Sequence, residues 1–155
     1  MKRFFWGVLY VLWICGTYAQ NRVEGHLGVV HPCLTISKEG TRSILDQYVV
    51  GFPMGISARK NDRFAFDAEF VPFIIEGKMS NLLIHPGLLW GLNQHYTLAT
   101  RAAFEWNGVW GVTPSITRGF KVGQQSMYID FALPMRWKAG QGFSQTFAVH
   151  VGFGF

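Results

Sequence analysis

The chain has 155 residues, 49% of them hydrophobic and 16% aromatic, with 18 glycines and a formal net charge of +5. That length allows one domain, and so modest a positive charge is no argument for a nucleic-acid partner. No Cys/His spacing marks a zinc site and no glycine-rich loop opens a helix to cradle phosphate, so neither a metal nor a cofactor is expected.

Lys2 and Arg3 precede an apolar run from Phe4 to Cys15, and Thr17-Tyr18-Ala19 then places small residues three and one before Gln20. This is the pattern of a secretory signal peptide cleaved after Ala19. A membrane anchor would need about 20 apolar residues, and the run is shorter. A lipoprotein reading of Cys15 fits poorly, because Trp13 and Ile14 stand where small residues belong. Residues 1–19 are therefore read as a signal peptide and residues 20–155 as the mature domain, whose net charge falls by two to +3 as Lys2 and Arg3 leave. Cys33 alone survives cleavage, so no intramolecular disulfide is expected.

Nothing in the mature sequence has a helical period or an apolar run of membrane-helix length. Instead, segments of about 10 alternating residues recur between turn signals, the mark of membrane-spanning strands. They fall near 22–31, 46–58, 64–75, 82–92, 95–106, 110–120, 127–137 and 143–155. Val23, Leu27 and Val29 give the first strand a weak apolar face. Tyr48, Val50, Phe52, Met54 and Ile56 give the second a full one, and Phe64, Phe66, Phe70 and Ile74 the third. Leu82, Ile84, Leu88, Trp90 and Leu92 follow, then Tyr96, Leu98, Phe104 and Trp106. Trp110, Val112, Ile116 and Phe120 make the sixth face, and Ile129, Phe131, Leu133, Met135 and Trp137 the seventh. The last strand carries Phe143, Phe147, Val149, Val151, Phe153 and Phe155 on one side, with Gln145 the lone exception.

Asn107-Gly108 would support a two-residue hairpin, but that register pairs Trp106 with Val109 and turns Trp110 inward. A three-residue loop, Asn107–Val109, keeps both tryptophans outward as a cross-strand pair, and facing outweighs one turn preference. Pro53, Pro72, Pro86, Pro114 and Pro134 fall inside expected strands, where each removes a ladder hydrogen bond. Bulges or misplaced strand ends can absorb them. A seam weakened by them could instead admit a lipid chain sideways.

With both termini on the periplasmic side, Tyr48, Trp106, Trp110, Trp137 and Phe143 fall near the outer rim. Phe64, Trp90, Tyr96, Phe120 and Phe155 then fall near the inner rim, making two interfacial girdles. The opposite faces collect the charges: Glu24, His26, Asp67, Glu69, His85, Arg101, Glu105, Asp130, Arg136 and His150. An eight-stranded interior is just wide enough for side chains to fill, so these groups are expected to pair into a plug. A wide, porin-like diffusion channel needs about twice as many strands. A soluble ligand-binding barrel would turn its apolar face inward, and six such faces would overfill a small core.

The signal peptide, the strand count and the closing Val149-His-Val151-Gly-Phe153-Gly-Phe155 carry a resemblance. Residues 20–155 resemble the small eight-stranded outer-membrane β-barrel proteins of Gram-negative bacteria. The resemblance implies an all-β, eight-stranded antiparallel up-and-down transmembrane barrel in the outer membrane. It implies as partners the outer-membrane lipids, including lipopolysaccharide, and the assembly machinery, for which Val149, Val151, Phe153 and Phe155 would form the terminal signal. A structural or interaction role at the cell envelope is expected, with no catalytic residue assigned. The alternatives are a lipid A-modifying enzyme and a soluble periplasmic binder. The lipid A deacylase family carries His-x-Ser-Asn on a late strand, whereas His150 here is followed by Val151-Gly152. The lipid A palmitoyltransferase uses His, Asp and Ser near the outer rim, and His31, Ser37, Ser43 and Asp46 lie on or beside the first outer loop. That loop, Pro32–Leu45, is the longest connection expected. Lys38, Arg42, Lys78 and Lys138 would face lipopolysaccharide phosphates.

Overall fold

Alternating side chains and frequent turn residues leave this chain one way to satisfy its backbone, a sheet, and in the computed structural model that sheet closes on itself. The structure describes residues 22–155; the signal-peptide reading of residues 1–19 lies outside them. The strands are β1 (Arg22–Ser37), β2 (Gly40–Ser43), β3 (Val49–Gly51), β4 (Met54–Arg59), β5 (Phe64–Ile75) and β6 (Lys78–Gly91). They continue as β7 (Tyr96–Glu105), β8 (Trp110–Val122), β9 (Gln125–Ala132), β10 (Met135–Lys138) and β11 (Gly142–Gly154). β2, β3 and β4 all lie along β1 and form one interrupted stave, β9 with β10 forms another, and so the eleven segments make a ring of eight antiparallel staves. Each stave pairs with its neighbour in sequence, and β11 pairs with β1 from His26↔Gly154 to Ser37↔Ser144 to close the ring. Closure removes every free edge among the staves, the condition for a sheet in hydrocarbon.

The interruptions are made by proline. Phe52-Pro53 separates β3 from β4 and Leu133-Pro134 separates β9 from β10. Pro72, Pro86 and Pro114 stay within β5, β6 and β8. Proline lacks a donor but keeps its carbonyl, and neighbouring strands use it. Gly28 N–H donates to Pro53 O at 2.9 Å, Phe52 to Pro72 at 3.0 Å, Leu133 to Pro114 at 2.9 Å and Thr146 to Pro134 at 2.8 Å. The inward and outward alternation therefore continues through both breaks.

Three expectations need correction. The first strand does not stop at residue 31 but runs to Ser37 and turns back through β2. A register shift between Pro32 and Leu34 swings Leu34 and Ile36 to the outside, which hides the strand's continuation from a strict two-residue period. The expected long loop is thus mostly hairpin. The turn between β7 and β8 is a three-residue loop shifted by one, Trp106–Gly108. Gly108 takes the left-handed position at φ 81° that closes such a loop, Glu105 N–H donates to Val109 O at 2.8 Å, and Trp110 lies opposite Phe104 rather than Trp106.

One mouth of the barrel carries the β1–β2 hairpin and the turns after β5, β7 and β10; it is called the loop end here. The other, the terminal end, carries the short turns after β4, β6 and β8, and the first and last described strands meet there, with Gly25 and Phe155 exchanging backbone hydrogen bonds of 2.8 and 2.9 Å.

Candidate functional site

Side chains at successive strand positions point to opposite faces, and the structure gives those faces opposite chemistry. Outward lie Ile56, Phe66, Phe70, Ile84, Leu88, Phe104, Ile116, Phe131 and Val151, each at least 40% exposed. Phe64 to Ile74 on β5 is ten steps of about 3.3 Å, which at the usual tilt of about 40° gives a band about 25 Å tall. Aromatic side chains gather at both margins. Trp110 stacks on Trp137 at 5.2 Å, and Phe143 packs beside Trp137 at 5.1 Å. Tyr48 and Trp106 are exposed at that same loop end. At the other margin Phe64 packs on Trp90 at 5.3 Å, and Tyr96, Phe120 and Phe155 are exposed nearby. Val149, Val151 and Phe153 lie on the outward face of β11, whose backbone pairs with both β9 and β1.

Inward, ionisable groups form a belt at mid-height. Asp67 is fully buried, and Glu69, His85, Arg101, Asp130 and His150 are all under 9% exposed. Arg101 crosses from β7 to β5. Its Nε donates to Asp67 Oδ2 at 2.7 Å and its Nη2 lies 3.4 Å from Glu69 Oε1. Ser57 on β4 donates its hydroxyl to Asp67 Oδ1 at 2.7 Å. His26 Nε2 lies 3.1 Å from Glu69 Oε1. Asp130 accepts from Thr117 Oγ1 at 2.6 Å, and Tyr128 Oη sits 2.9 Å from His150 Nε2.

A second run of bonds has a direction that chemistry fixes. The Glu69 carboxylate only accepts, so His85 Nδ1 carries the proton and donates to Glu69 Oε2 at 3.1 Å. In the neutral ring Nε2 then accepts from the Thr113 hydroxyl at 2.9 Å, which itself accepts from Arg136 Nη1 at 3.0 Å. Arg136 Nε in turn donates to Glu105 Oε1 at 3.1 Å, and Asn81 caps the other oxygen of Glu105. At the terminal end Glu24 accepts from Arg59 Nε at 2.8 Å and lies 3.3 Å from Arg22. The inward charges line the lumen in three groups: a central belt, an Arg136–Glu105 pair toward the loop end and a Glu24–Arg59 pair near the terminal end.

Glycine makes room for this belt. His26 lies opposite Gly55, Arg101 opposite Gly87, and Tyr128 opposite Gly152. A Cβ at any of the three would collide with the long side chain facing it. A lumen only wide enough for side chains must omit one of each pair to fit the other.

His26, Asp67 and Glu69 bring one nitrogen and two carboxylate oxygens within 4.8 Å of one another. Arg101 already bonds both carboxylates, so a cation there would meet a fixed guanidinium; the donor set does not fit a metal. The rim residues do not assemble a catalytic trio. Ser43 donates its hydroxyl and backbone N–H to Asp46 Oδ2 at 2.9 and 2.7 Å, a local turn. The Ser43 N–H bond, then its hydroxyl, holds the Asp46 carboxyl below its ordinary range. His31 packs instead on Tyr48, with ring centroids 5.6 Å apart, and its Nδ1 is buried without a hydrogen-bond partner. Lys38, Arg42, Lys78 and Lys138 all sit at the loop end, and Arg42 lies 3.7 Å from Glu39.

The belt divides the lumen into two chambers. The terminal-end chamber, about 780 Å³, is lined by Glu24, Arg59, His95 and Lys121 among others. The loop-end chamber, about 470 Å³, is lined by Val30, Val71, Phe73 and Leu83 together with Arg42, Asn81, Glu105 and Arg136 among others. Glu69, Arg101, Asp130 and His150 border both.

The chain matches no protein-family model, and no curated protein matches it. Among solved structures it is similar to Ail, the attachment invasion locus protein of Yersinia pestis, solved in complex with the heparin analogue sucrose octasulfate. The two share 11% identity over 88% of this chain and 100% of Ail, with a TM-score of 0.54. Two de novo designed transmembrane β-barrels align at TM-scores of 0.47 and 0.48, with 9% and 6% identity, covering 88% and 87% of this chain and 98% and 94% of theirs. The fold likeness rests on Ail: this chain has the fold of a small outer-membrane β-barrel.

Proposed function

We propose that the protein is an integral outer-membrane β-barrel with a plugged interior and a structural or interaction role at the cell envelope. The observation that carries this reading is the inside-out distribution of its side chains. An apolar band about 25 Å tall, edged by aromatics, matches the hydrocarbon height such barrels span. A soluble barrel would leave that band in water, and exposed apolar patches on soluble monomers are rarely larger than a few hundred Å². Localisation follows from the same band: the protein should sediment with outer-membrane fractions. Its unheated form should run at a different gel mobility from its boiled form. Recovery in the soluble periplasmic fraction, with no mobility shift, would overturn the reading.

On this reading the loop end faces outward, and Lys38, Arg42, Lys78 and Lys138 ring it against Glu39, Asp46 and Glu76. The surplus cation and the length of the lysine side chains favour contact with lipopolysaccharide phosphates. Ail, of the same fold, was solved with a polyanion, which supports looking at this rim first. Reconstitution in bilayers containing lipopolysaccharide should raise the unfolding midpoint relative to phosphatidylethanolamine alone. Replacing all four cations by Gln should abolish that difference. An unchanged difference in the fourfold variant would remove the rim from the interaction. Ser43 and Asp46 bond each other in a local turn while His31 packs on Tyr48, an arrangement that gives no support to acyl transfer or hydrolysis.

A further inference from the structure

The charges are unevenly shared between the two ends of the barrel. At the loop end the four cations face Glu39, Asp46 and Glu76, a surplus of one. Inside, Arg101 and Arg136 stand against the carboxylates of Asp67, Glu69, Glu105 and Asp130. At the terminal end Arg22, Arg59, Lys60, Arg63, Arg118 and Lys121 stand against Glu24 and Asp62, a surplus of four. The positive balance of the mature chain therefore sits at the end opposite the long hairpin. Arg22 and Arg59 both turn to Glu24. Lys60, Arg63, Arg118 and Lys121 are exposed and form no ion pair among the described residues.

One of these four is not on a turn. Arg118 lies on the outward face of β8, opposite Tyr96 on β7 and Ile129 on β9. Along its own strand it stands between Ile116 and Phe120, both exposed on the same face. Phe120 is nearer the mouth, so the arginine is set within the aromatic margin rather than beyond it. An arginine there lays its stem along apolar neighbours and holds its guanidinium at headgroup level. The neighbouring turns bring further cationic residues to the same margin. Gly119 N–H donates to His95 O at 2.8 Å, which sets the turn after β6 against β8. Gly91 N–H donates to Arg63 O at 2.8 Å, which sets the turn after β4 beside Trp90. Arg63, at the start of β5, and Arg118 are three strand spacings apart, about 14 Å.

We propose that the terminal-end margin is a docking surface for anionic phospholipid, with Arg63 and Arg118 each holding the phosphodiester of one headgroup. The inference rests on the membrane reading above, which sets this end at the phospholipid leaflet. A guanidinium donates two parallel N–H bonds to a phosphate, and each cation at an anionic bilayer surface favours binding by about fivefold. A soluble polyanion suits Arg118 less well, because Phe120 stands between it and the mouth.

The test folds the full mature chain into phosphatidylcholine vesicles, with part of the lipid replaced by dibrominated phosphatidylglycerol or dibrominated phosphatidylcholine. Bromine quenches nearby tryptophan, and both leaflets carry it, so the direction of insertion does not matter. Trp106→Phe, Trp110→Phe and Trp137→Phe together leave Trp90 as the terminal-end reporter, and a second chain with Trp90→Phe reports from the loop end. Trp90 should show at least about a fivefold preference for phosphatidylglycerol, and the loop-end reporter less than about twofold. About 1 M salt, where the Debye length is about 3 Å, should shrink the preference at Trp90. Arg63→Gln with Arg118→Gln should bring it to within about twofold of unity, whereas Arg63→Lys with Arg118→Lys should keep most of it. Heat-modifiable mobility reports whether each variant folds, and Arg118→Met with Arg63→Met repeats the test should the Gln pair fail to do so. Equal quenching by the two lipids at Trp90 would overturn the proposal while leaving the barrel in its membrane. So would an equal preference at the loop end, or one untouched by the Gln pair. Quenching by neither lipid would overturn the membrane reading and this inference with it.

Discussion

Arg101→Met should lower the barrel's stability by about 3–5 kcal/mol, the usual cost of removing one partner from a buried ion pair. Arg101 answers two carboxylates at once, Asp67 at 2.7 Å and Glu69 at 3.4 Å. Asp67 has no solvent exposure and Glu69 has 4%. Their remaining partners, Ser57 and two histidines, give hydrogen bonds but no permanent charge. Methionine keeps most of the volume, so the loss measured is electrostatic rather than a cavity. Urea titration of the folded band on unheated gels reads it directly. Adding Asp67→Asn and Glu69→Gln to the same chain should restore most of the stability, because the buried charges then vanish together. A loss under about 1 kcal/mol for Arg101→Met, the value of an exposed pair, would show that water from the terminal-end chamber already solvates the belt.

Phe70→Arg should cost about 2–4 kcal/mol, whereas Phe64→Arg should cost about 0–1, because a cation on the lipid face is penalised by depth. Phe70 is half-exposed at mid-band, between Met54 and Ile84 on the flanking strands. Phe64 sits at the aromatic margin beside Trp90. Folding into phosphatidylcholine vesicles, followed by denaturant titration, separates the two. In a soluble barrel both residues would face water and both arginines would be nearly neutral. Equal and small effects would therefore place the band in solvent and take the membrane reading with it. The depth dependence is the diagnostic quantity, since any destabilisation alone has many causes.

The staves were legible where one face was apolar and the other was not. Residues 95–106 and 143–155 alternate over most of their length, and β7 and β11 lie within a residue of those bounds. Legibility failed where the alternation was broken or doubled. A register shift beside Cys33 moved Leu34 and Ile36 to the outer face, so the first strand looked finished near residue 31. From Phe70 to Ile75 both faces are apolar, and so the inward Val71, Phe73 and Ile75 could not be told from the outward side chains by period alone. That ambiguity hid the loop-end chamber. The belt was read from its charges, which passed over its neutral members: Ser57, Thr113, Ser115, Thr117 and Tyr128 occupy the same inward parity and were available to the same reasoning. Glycines 55, 87 and 152 were equally visible, but their purpose depends on which residue stands across the ladder. A single sequence without a register does not say that.

Seven of the eight seams join staves that follow one another along the chain, and only β11 against β1 joins its extremes. Each consecutive seam can zip locally from its own turn. The last requires the whole ribbon to curl until residues 26 and 154 meet, a long loop whose closure entropy no short contact repays in advance. Cylinder formation is therefore one concerted final event, and a chain lacking its closing stave would be left an open ribbon with two unpaired borders.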